Sequence, residues 1–364
     1  MNTNTASTGL LTVIVIIMLG AVLKMTASIV LPLVIAVFLS FIIAPLVNLL
    51  DRPHIPRVAA IIIVVLMLFG FMFLVFLFFQ TSVNSFIKQY PKYAARYTEI
   101  SSQIEEMIKL RFNIQFDFST DINWQGALRE YLVSFSGSLI KFFTSFALIL
   151  IFLIFLLLEK HLFRGKLVRA FDESTGKQIG KIVEHINQQV GRYINLKFFI
   201  SLATGICVWF FLTIIGVDFP MVWGVLAFLL NFIPSIGSFI LVVITITMGV
   251  IQFYPQMGKM ISVAVSMIGI QAVIGNFLDP RLQGQRLDLS PLLILFSLIV
   301  WGWIWGSVGM LLAVPLMVVI KIICENIPGL RPIGVMMERG GKPVQEEIER
   351  TDREDDSAGQ NPPV

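Results

Sequence analysis

The chain has 364 residues, 56% of them hydrophobic and only 14% charged, with 31 Phe and a formal net charge of +4. A soluble domain carries about 25% charged residues, so this balance excludes a water-soluble module and predicts an all-α polytopic membrane protein. The two cysteines, Cys207 and Cys324, both sit in apolar stretches and leave no disulfide framework or Cys-based metal site to read.

About eight apolar helical segments follow one another along the chain, two of them broken or re-entrant. The first, Leu10 to Leu23, has no Lys or Arg ahead of it in residues 1–9 and no small-residue cleavage site before the next span, so it reads as a retained helix. Ile29 to Leu50 and Val58 to Phe79 complete the N-terminal membrane helices, residues 1–80. Residues 81–138 form a hydrophilic segment of nearly balanced charge, with an amphipathic pattern over 97–110. Residues 139–197 hold the span Leu139 to Leu158 and a basic stretch in which Ile179, Ile182, Val183, Ile186, Val190 and Ile194 recur at spacings of three and four. That stretch predicts an amphipathic helix lying along the headgroups or packed on its neighbours. The excess of Lys and Arg in 159–197, with Arg52 and Arg57 after the second span, puts those loops and both termini in the cytoplasm and 81–138 outside.

The pattern departs from plain spans in residues 198–323. Phe198 to Ile215 is an ordinary span, but the next apolar run, 220 to 251, is longer than the ~20 residues a crossing needs and is interrupted from Asn231 to Ser238. Backbone groups freed by Pro234 and Gly237 require protein or a water-filled cavity around them. Met260 to Leu278 is again ordinary, and 290 to 323 is broken at Pro291, at Trp301 to Gly309 and at Pro315. Paired Gly/Pro-interrupted segments in corresponding positions point to a transport part built from inverted repeats. Each broken run is either a re-entrant hairpin or one long kinked span; hairpins place Gln252 outside and Arg281 and Arg286 inside, which the charge rule favours. Residues 324–364 are expected to form a cytoplasmic, largely disordered tail, since from Glu338 onward it holds eight acids and four bases without an apolar period.

Between Phe198 and Leu278 the only charged residues are Asp218, in a turn, and Lys259, at a helix start. The membrane midplane therefore offers neutral groups, which suit the hydroxyls of a small polar, sugar-like solute or coordination of Na+ by oxygen atoms. The expected solute path comprises Asn231, Pro234, Ser235, Gly237, Gln271 and Asn276. A polar turn from Asp279 through Pro280, Arg281 and Gly284 to Pro291 reads as a hinge or gate, with Asp279 and Arg281 pairing locally. Gly302, Gly306 and Gly309, which permit close helix approach, and Pro315 complete that set. Trp301, Trp303 and Trp305 alternate with a period of two, as interfacial anchors or as an aromatic wall beside the path. No His-Glu-x-x-His, Gly-x-Ser-x-Gly or Walker-type loop is present, so no enzyme, cofactor or metal site is expected. The net charge follows from loop topology and implies no nucleic acid partner.

Three motifs in order resemble the bacterial autoinducer-2 exporter family of transporters. They are Asn231-Phe232-Ile233-Pro234-x-x-Gly237; Asp279-Pro280-x-Leu282-x-Gly284 running into Leu289-Ser290-Pro291; and Trp301-Gly302-Trp303-x-Trp305-Gly306-x-x-Gly309 with Leu312-Ala313-Val314-Pro315. Leu31-Pro32-Leu33 and Ala44-Pro45-Leu46 fit that family's second helix, and the likeness runs over roughly residues 10 to 335. The resemblance implies a multi-pass inner-membrane protein, lipid-embedded and assembled as a homo-oligomeric ring, a pentamer. In it the first four spans serve as scaffold while 198–323 moves solute in an elevator-like manner. Family cargo includes the quorum-sensing signal autoinducer-2, a small sugar-derived solute. Other members are linked to Na+(Li+)/H+ antiport, for which Asp218 and Asp279 are the nearest acids here. A non-transporting membrane scaffold is the third reading.

Overall fold

The structure, a computed structural model, describes residues 3–50, 56–112, 134, 137, 143, 145–159, 166, 170–283 and 288–340. Among the described residues the elements are helices, as long apolar sequence demands: in lipid, backbone N–H and C=O groups must bond within their own segment. They are α1 (Thr3–Met25), α2 (Ala27–Leu50), α3 (Arg57–Phe112), α4 (Ser145–Glu159), α5 (Glu173–Ile215), α6 (Pro220–Leu230), α7 (Ile236–Phe253), α8 (Met257–Ile270), α9 (Asp279–Gln283), α10 (Pro291–Asn326) and α11 (Arg331–Met336). A π-helical stretch, Gln271–Leu278, joins α8 to α9. Among the described residues six helices are long and apolar enough to cross a membrane, while α4 and α6 are shorter apolar helices.

The N-terminal helices form their own core. Ala36, Ile43 and Val47 of α2 pack against Ala60, Ile61, Val64 and Val65 of α3 and Phe146, Ile149, Leu153 and Leu157 of α4. Leu66, Met67, Phe71 and Leu74 point away from it and are exposed, as side chains facing lipid must be.

Two helices are longer than the expected segments. α3 spans 56 residues, about 84 Å at 1.5 Å per residue, against a hydrocarbon core of about 30 Å. The expected border between a span ending at Phe79 and a separate hydrophilic segment is therefore absent as far as Phe112; the helix runs on through Pro91 and the 97–110 pattern forms its last turns. Likewise α5 is one helix of 43 residues. Its amphipathic half takes the second of the two expected arrangements and packs on its neighbours: Val190, Tyr193 and Ile194, with Ile182 and Ile186, lie on Phe38 of α2 and on Leu312, Val314, Val318 and Ile322 of α10. No Pro or Gly separates Ile194 from Phe198, so nothing ends the helix there. It begins at Asp172, whose carboxylate accepts from Thr175 N at 3.1 Å. The Ser174 hydroxyl and that N–H hold the Asp172 carboxyl down at about 2.

Both broken runs are hairpins. α6, only 11 residues long, starts beside the end of α5 and runs back along it; α7 then returns. At its far end Gln252 donates from Nε2 to Gly216 O at 2.9 Å and accepts at Oε1 from Asp218 N at 2.9 Å, so the hairpin's two ends lie together. In α10 the backbone leaves the helical region at Trp305 (φ −124°, ψ 15°) and Gly306 (φ 65°, ψ −147°). Gly309 abuts Trp301 O and Gly302 abuts Met310, pairs that a straight helix would hold about 12 Å apart along its axis. At the opposite end Lys321 Nζ donates to Asp288 O at 3.0 Å and pairs with Asp288 Oδ2 at 3.3 Å. The kinked-span alternative is thereby excluded.

The first hairpin thus opens at the face carrying Gly216 and Gln252, and the second at the face carrying Asp288 and Lys321. α8 with its continuation crosses between them. Span, hairpin, span, hairpin is an inverted arrangement, and the two tips meet: buried Ile233, Leu298 and Ala313 share one cluster with Leu230, Trp301 and Met310.

Residues 324–340 are structured, against the expectation of a tail that is largely disordered from 324. α10 runs to Asn326, α11 follows, and Met337 is buried with its carbonyl accepting from Ser290 N at 2.9 Å. Cys324, Gly334 and Met337 are buried in this short return, and residues beyond 340 lie outside the described part.

Candidate functional site

The tip of the first hairpin is built from residues that cannot continue a helix. Asn231 caps α6, is 5% exposed, and donates from Nδ2 to Ser201 Oγ at 3.0 Å, tying the tip to α5. Pro234 has no N–H to give, and Ser235 takes φ 57°, ψ −50°, a sparsely populated region that costs about 1–3 kcal/mol. Gly237 lets the returning chain close on itself: a Cβ there would lie 1.9 Å from Leu230 O. Four of the six expected path residues, Asn231, Pro234, Ser235 and Gly237, are therefore one structural unit.

The other two stand on the π-helical stretch. Gln271 opens it, half-buried, with its amide folded over Gly275, and Asn276 is exposed further along. A π-helical turn is rare and is frequently found at functional sites. Ser201, one of the neutral midplane groups, is fully buried as the acceptor for Asn231, whereas Thr204 is satisfied by its own helix, donating to Ile200 O at 2.9 Å.

The expected hinge set divides. Gly302, Gly306 and Gly309 form the tip of the second hairpin, where Gly306 alone has the positive φ. Pro291 begins the first arm after Ser290, Pro315 is buried in the second arm, and Pro280 is exposed in α9. Gly284 lies outside the described residues. The local pairing of Asp279 with Arg281 is not formed. Arg281 instead stacks on Phe277, 3.8 Å from the ring centre, and Asp279 accepts from Lys197 Nζ of α5 at 2.8 Å. The tryptophans separate too: Trp301 and Trp305 lie ring to ring at 5.0 Å, and Trp305 Nε1 donates to Leu23 O of α1. Trp303 is exposed under the Lys24 ammonium at 4.0 Å.

The Lys197–Asp279 pair is what sequence reading missed. Both side chains are well covered, 4% and 17% exposed, so residues 198–323 do contain a largely covered carboxylate. Lys197 read as loop charge and Asp279 as a hinge residue paired with Arg281. The available signal was the absence of any helix breaker before Phe198, which places Lys197 inside a continuous helix and obliges it to find a partner. Thr245 of α7 is fully buried with its hydroxyl unpartnered, a second group the pattern did not flag. Among the described residues no group of three or more His, Cys, Asp or Glu stands ready for a metal ion.

A polar belt of α3 clasps the open end of the first hairpin. Tyr93 donates to Asp218 Oδ2 at 2.6 Å, Lys92 lies 3.7 Å from the same oxygen, Arg96 donates to Tyr254 O, and Tyr254 donates to Gln103 Oε1 at 2.6 Å. The N-terminal helices thus touch both loops that flank the hairpin.

The sequence matches the AI-2E family of transporters over residues 11–329. A Borreliella burgdorferi protein assigned to transport by name is 36% identical over 343 residues, covering 94% of this chain and 93% of the relative. The AI-2 transport protein TqsA of Escherichia coli K12 is 32% identical over 337 residues, covering 90% and 94%. A Haemophilus influenzae protein, also assigned to transport by name, is 32% identical over 330 residues, covering 88% and 92%.

Proposed function

Because the chain belongs to the AI-2E family of transporters, we propose that it exports a small polar solute such as autoinducer-2 across a bacterial inner membrane. The observation that carries this reading is the pair of opposed hairpins whose tips meet at Ile233, Leu298 and Ala313. A solute at that junction finds neutral donors and acceptors, the Asn231 amide and the groups released around Pro234, rather than a continuous lipid-like core. Gln271 and Asn276 extend the path along the π-helical stretch.

An elevator-like motion fits the division of the molecule. The α2–α4 core is joined to the α5–α10 unit along an apolar seam, Phe38 of α2 against Val190 and Ile194 of α5 and Leu312 and Val318 of α10, along which one part would slide on the other, and by polar contacts at the hairpin's open end, from Tyr93 to Asp218 and from Arg96 to Tyr254. Exposed apolar faces on α1 to α3 supply surface for lipid and for a ring of identical subunits, a pentamer in this reading. The test is extracellular signal accumulation in cells with and without the protein. Equal accumulation overturns autoinducer-2 as cargo, and an Asn231→Ala variant that restores export fully overturns the site.

The buried Asp279 favours a second reading, Na+/H+ antiport, because a desolvated carboxylate can take up and release a cation. Proteoliposomes with an internal pH dye separate the two: antiport requires proton flux on addition of Na+.

A further inference from the structure

Beyond the second hairpin the chain doubles back. α10 passes Lys321, which its bond to Asp288 places at the hairpin's open end, and runs five residues further to Asn326, about 7.5 Å along the axis. It turns over Ile327–Leu330, and α11 then climbs beside it: Gly334 abuts Cys324 and Glu325, Met337 O accepts from Ser290 N at 2.9 Å, and Arg339 N donates to Asp288 O at 3.3 Å. The whole return therefore stays within about 7.5 Å of the charged residues that close the hairpin's open end. That is headgroup depth for a hairpin that spans the hydrocarbon from this face.

The outward side of the return is apolar. Ile320, Ile323 and Ile327, spaced three and four apart on one face, are exposed over the end of α10, and Ile333, Val335 and Met336 follow at 51%, 54% and 84% exposed. A lone exposed apolar side chain needs no explanation, but α10 is long and apolar enough to cross a membrane, so this surface continues one that faces lipid. Exposed Arg331 and Arg339 stand at either end of it. A segment of this kind sinks its apolar side about 5–10 Å into the boundary between headgroups and acyl chains while its cations meet phosphate. Residues 341–364 offer only Val344, Ile348 and Val364 as large apolar side chains, too few to cover it.

We propose that residues 327–339 are a membrane-surface foot. It seats on phospholipid headgroups at the face where the second hairpin opens, and through Ser290 and Asp288 it pins that opening to the bilayer. The first hairpin is held at its open end by α3, the second by lipid. Seating on the membrane does not rest on the transport reading.

The experiment reads depth in the full-length protein carrying Cys207→Ala and Cys324→Ala. A nitroxide is attached at Met336→Cys or, as a water reference, at Lys109→Cys near the end of α3. Each protein is reconstituted into vesicles of phosphatidylcholine and phosphatidylglycerol, and collisions with oxygen and with an aqueous nickel chelate are measured by power saturation. Oxygen is expected to exceed the chelate about threefold or more at position 336, with the order reversed at 109. Adding Arg331→Gln and Arg339→Gln is expected to raise chelate collisions at 336 about twofold and to speed deuterium exchange of the Ser290 amide severalfold. If the cysteine-free chain does not fold, Met336→Trp in the otherwise native chain, read by quenching from brominated phospholipids against the unsubstituted protein, makes the same distinction. Chelate access at 336 equal to that at 109 means that the return stands in water, and protection from both reagents means that residues 341–364 or a second copy cover it. Either result overturns the proposal, as does an unchanged depth without the arginines. Unchanged exchange at Ser290 in a foot that has lifted overturns its hold on the hairpin.

Discussion

The two hairpins reverse the chain by different means. The first turns over five residues, Asn231 to Ser235, through an asparagine tied to α5, a proline and a serine held at positive φ, and its ends are bound by the neutral Gln252 amide. The second turns within two, Trp305 and Gly306, between tryptophan rings, and its ends are bound by the Lys321–Asp288 ion pair with α11 folded beneath. One tip presents hydrogen-bonding groups and a strained backbone; the other presents aromatic surface and three glycines, of which Gly306 takes the positive φ. In the proposed reading the polar tip is the side of the junction that recognises solute, and the aromatic tip the side that packs against it.

The comparison breaks first at the glycines that both hairpins need. A Cβ at Gly237 or at Gly309 would sit 1.9 Å from a backbone carbonyl oxygen, Leu230 O or Trp301 O. Either Gly→Ala change is expected to lower stability by about 3 kcal/mol or more, seen as a large drop in unfolding temperature and loss of export. Gly306→Ala isolates the turn itself, because a Cβ there meets nothing within 4 Å while the φ of 65° remains; about 2 kcal/mol is expected from strain alone. Equal damage from Gly306→Ala and Gly309→Ala would mean that the turn, and not the close approach, limits the second hairpin.

Asn231→Ala sharpens the assignment of roles. The lost bond to Ser201 is expected to cost about 1 kcal/mol, yet export should fall tenfold or more while Trp303→Phe at the other tip leaves export near wild type; equal losses would remove the division between tips. Gln252→Ala, which frees Gly216 O and Asp218 N at the open end, is also expected to cost about 1 kcal/mol, with a changed transport rate and unchanged apparent affinity. Smallest is Arg281→Ala, which loses an exposed stack on Phe277 worth about 0.5 kcal/mol. A larger effect in the same unfolding assay would show that Arg281 contributes to the Asp279 environment.

Much of this fold was legible because membrane helices announce themselves by length and apolarity, and Pro234, Gly237 and Gly306 mark where those helices break. Whether the breaks reverse the chain was not legible. The deciding bonds join Gln252 to Gly216 and Lys321 to Asp288, 36 and 33 positions apart, and a local pattern carries no information about them. The amphipathic stripe of α5 was visible, but lipid headgroups and a neighbouring helix call for the same periodicity. Asn231 was found because its neighbours are helix breakers. Asp279 was read as part of the hinge, with Arg281 as its partner, and Lys197 as loop charge; their pairing, 82 positions apart, could not be seen in either segment alone.

The meeting of the tips also has an electrical meaning. Were water to follow the hairpins inward from both faces, the insulating layer would narrow to the apolar contact of Ile233, Leu298 and Ala313, a few side chains thick instead of a full bilayer. The membrane potential then drops across that short layer. A unit charge stepping past it experiences nearly the whole voltage, about 2.3 kcal/mol per 100 mV, whereas a neutral polar molecule crosses the same layer without regard to it.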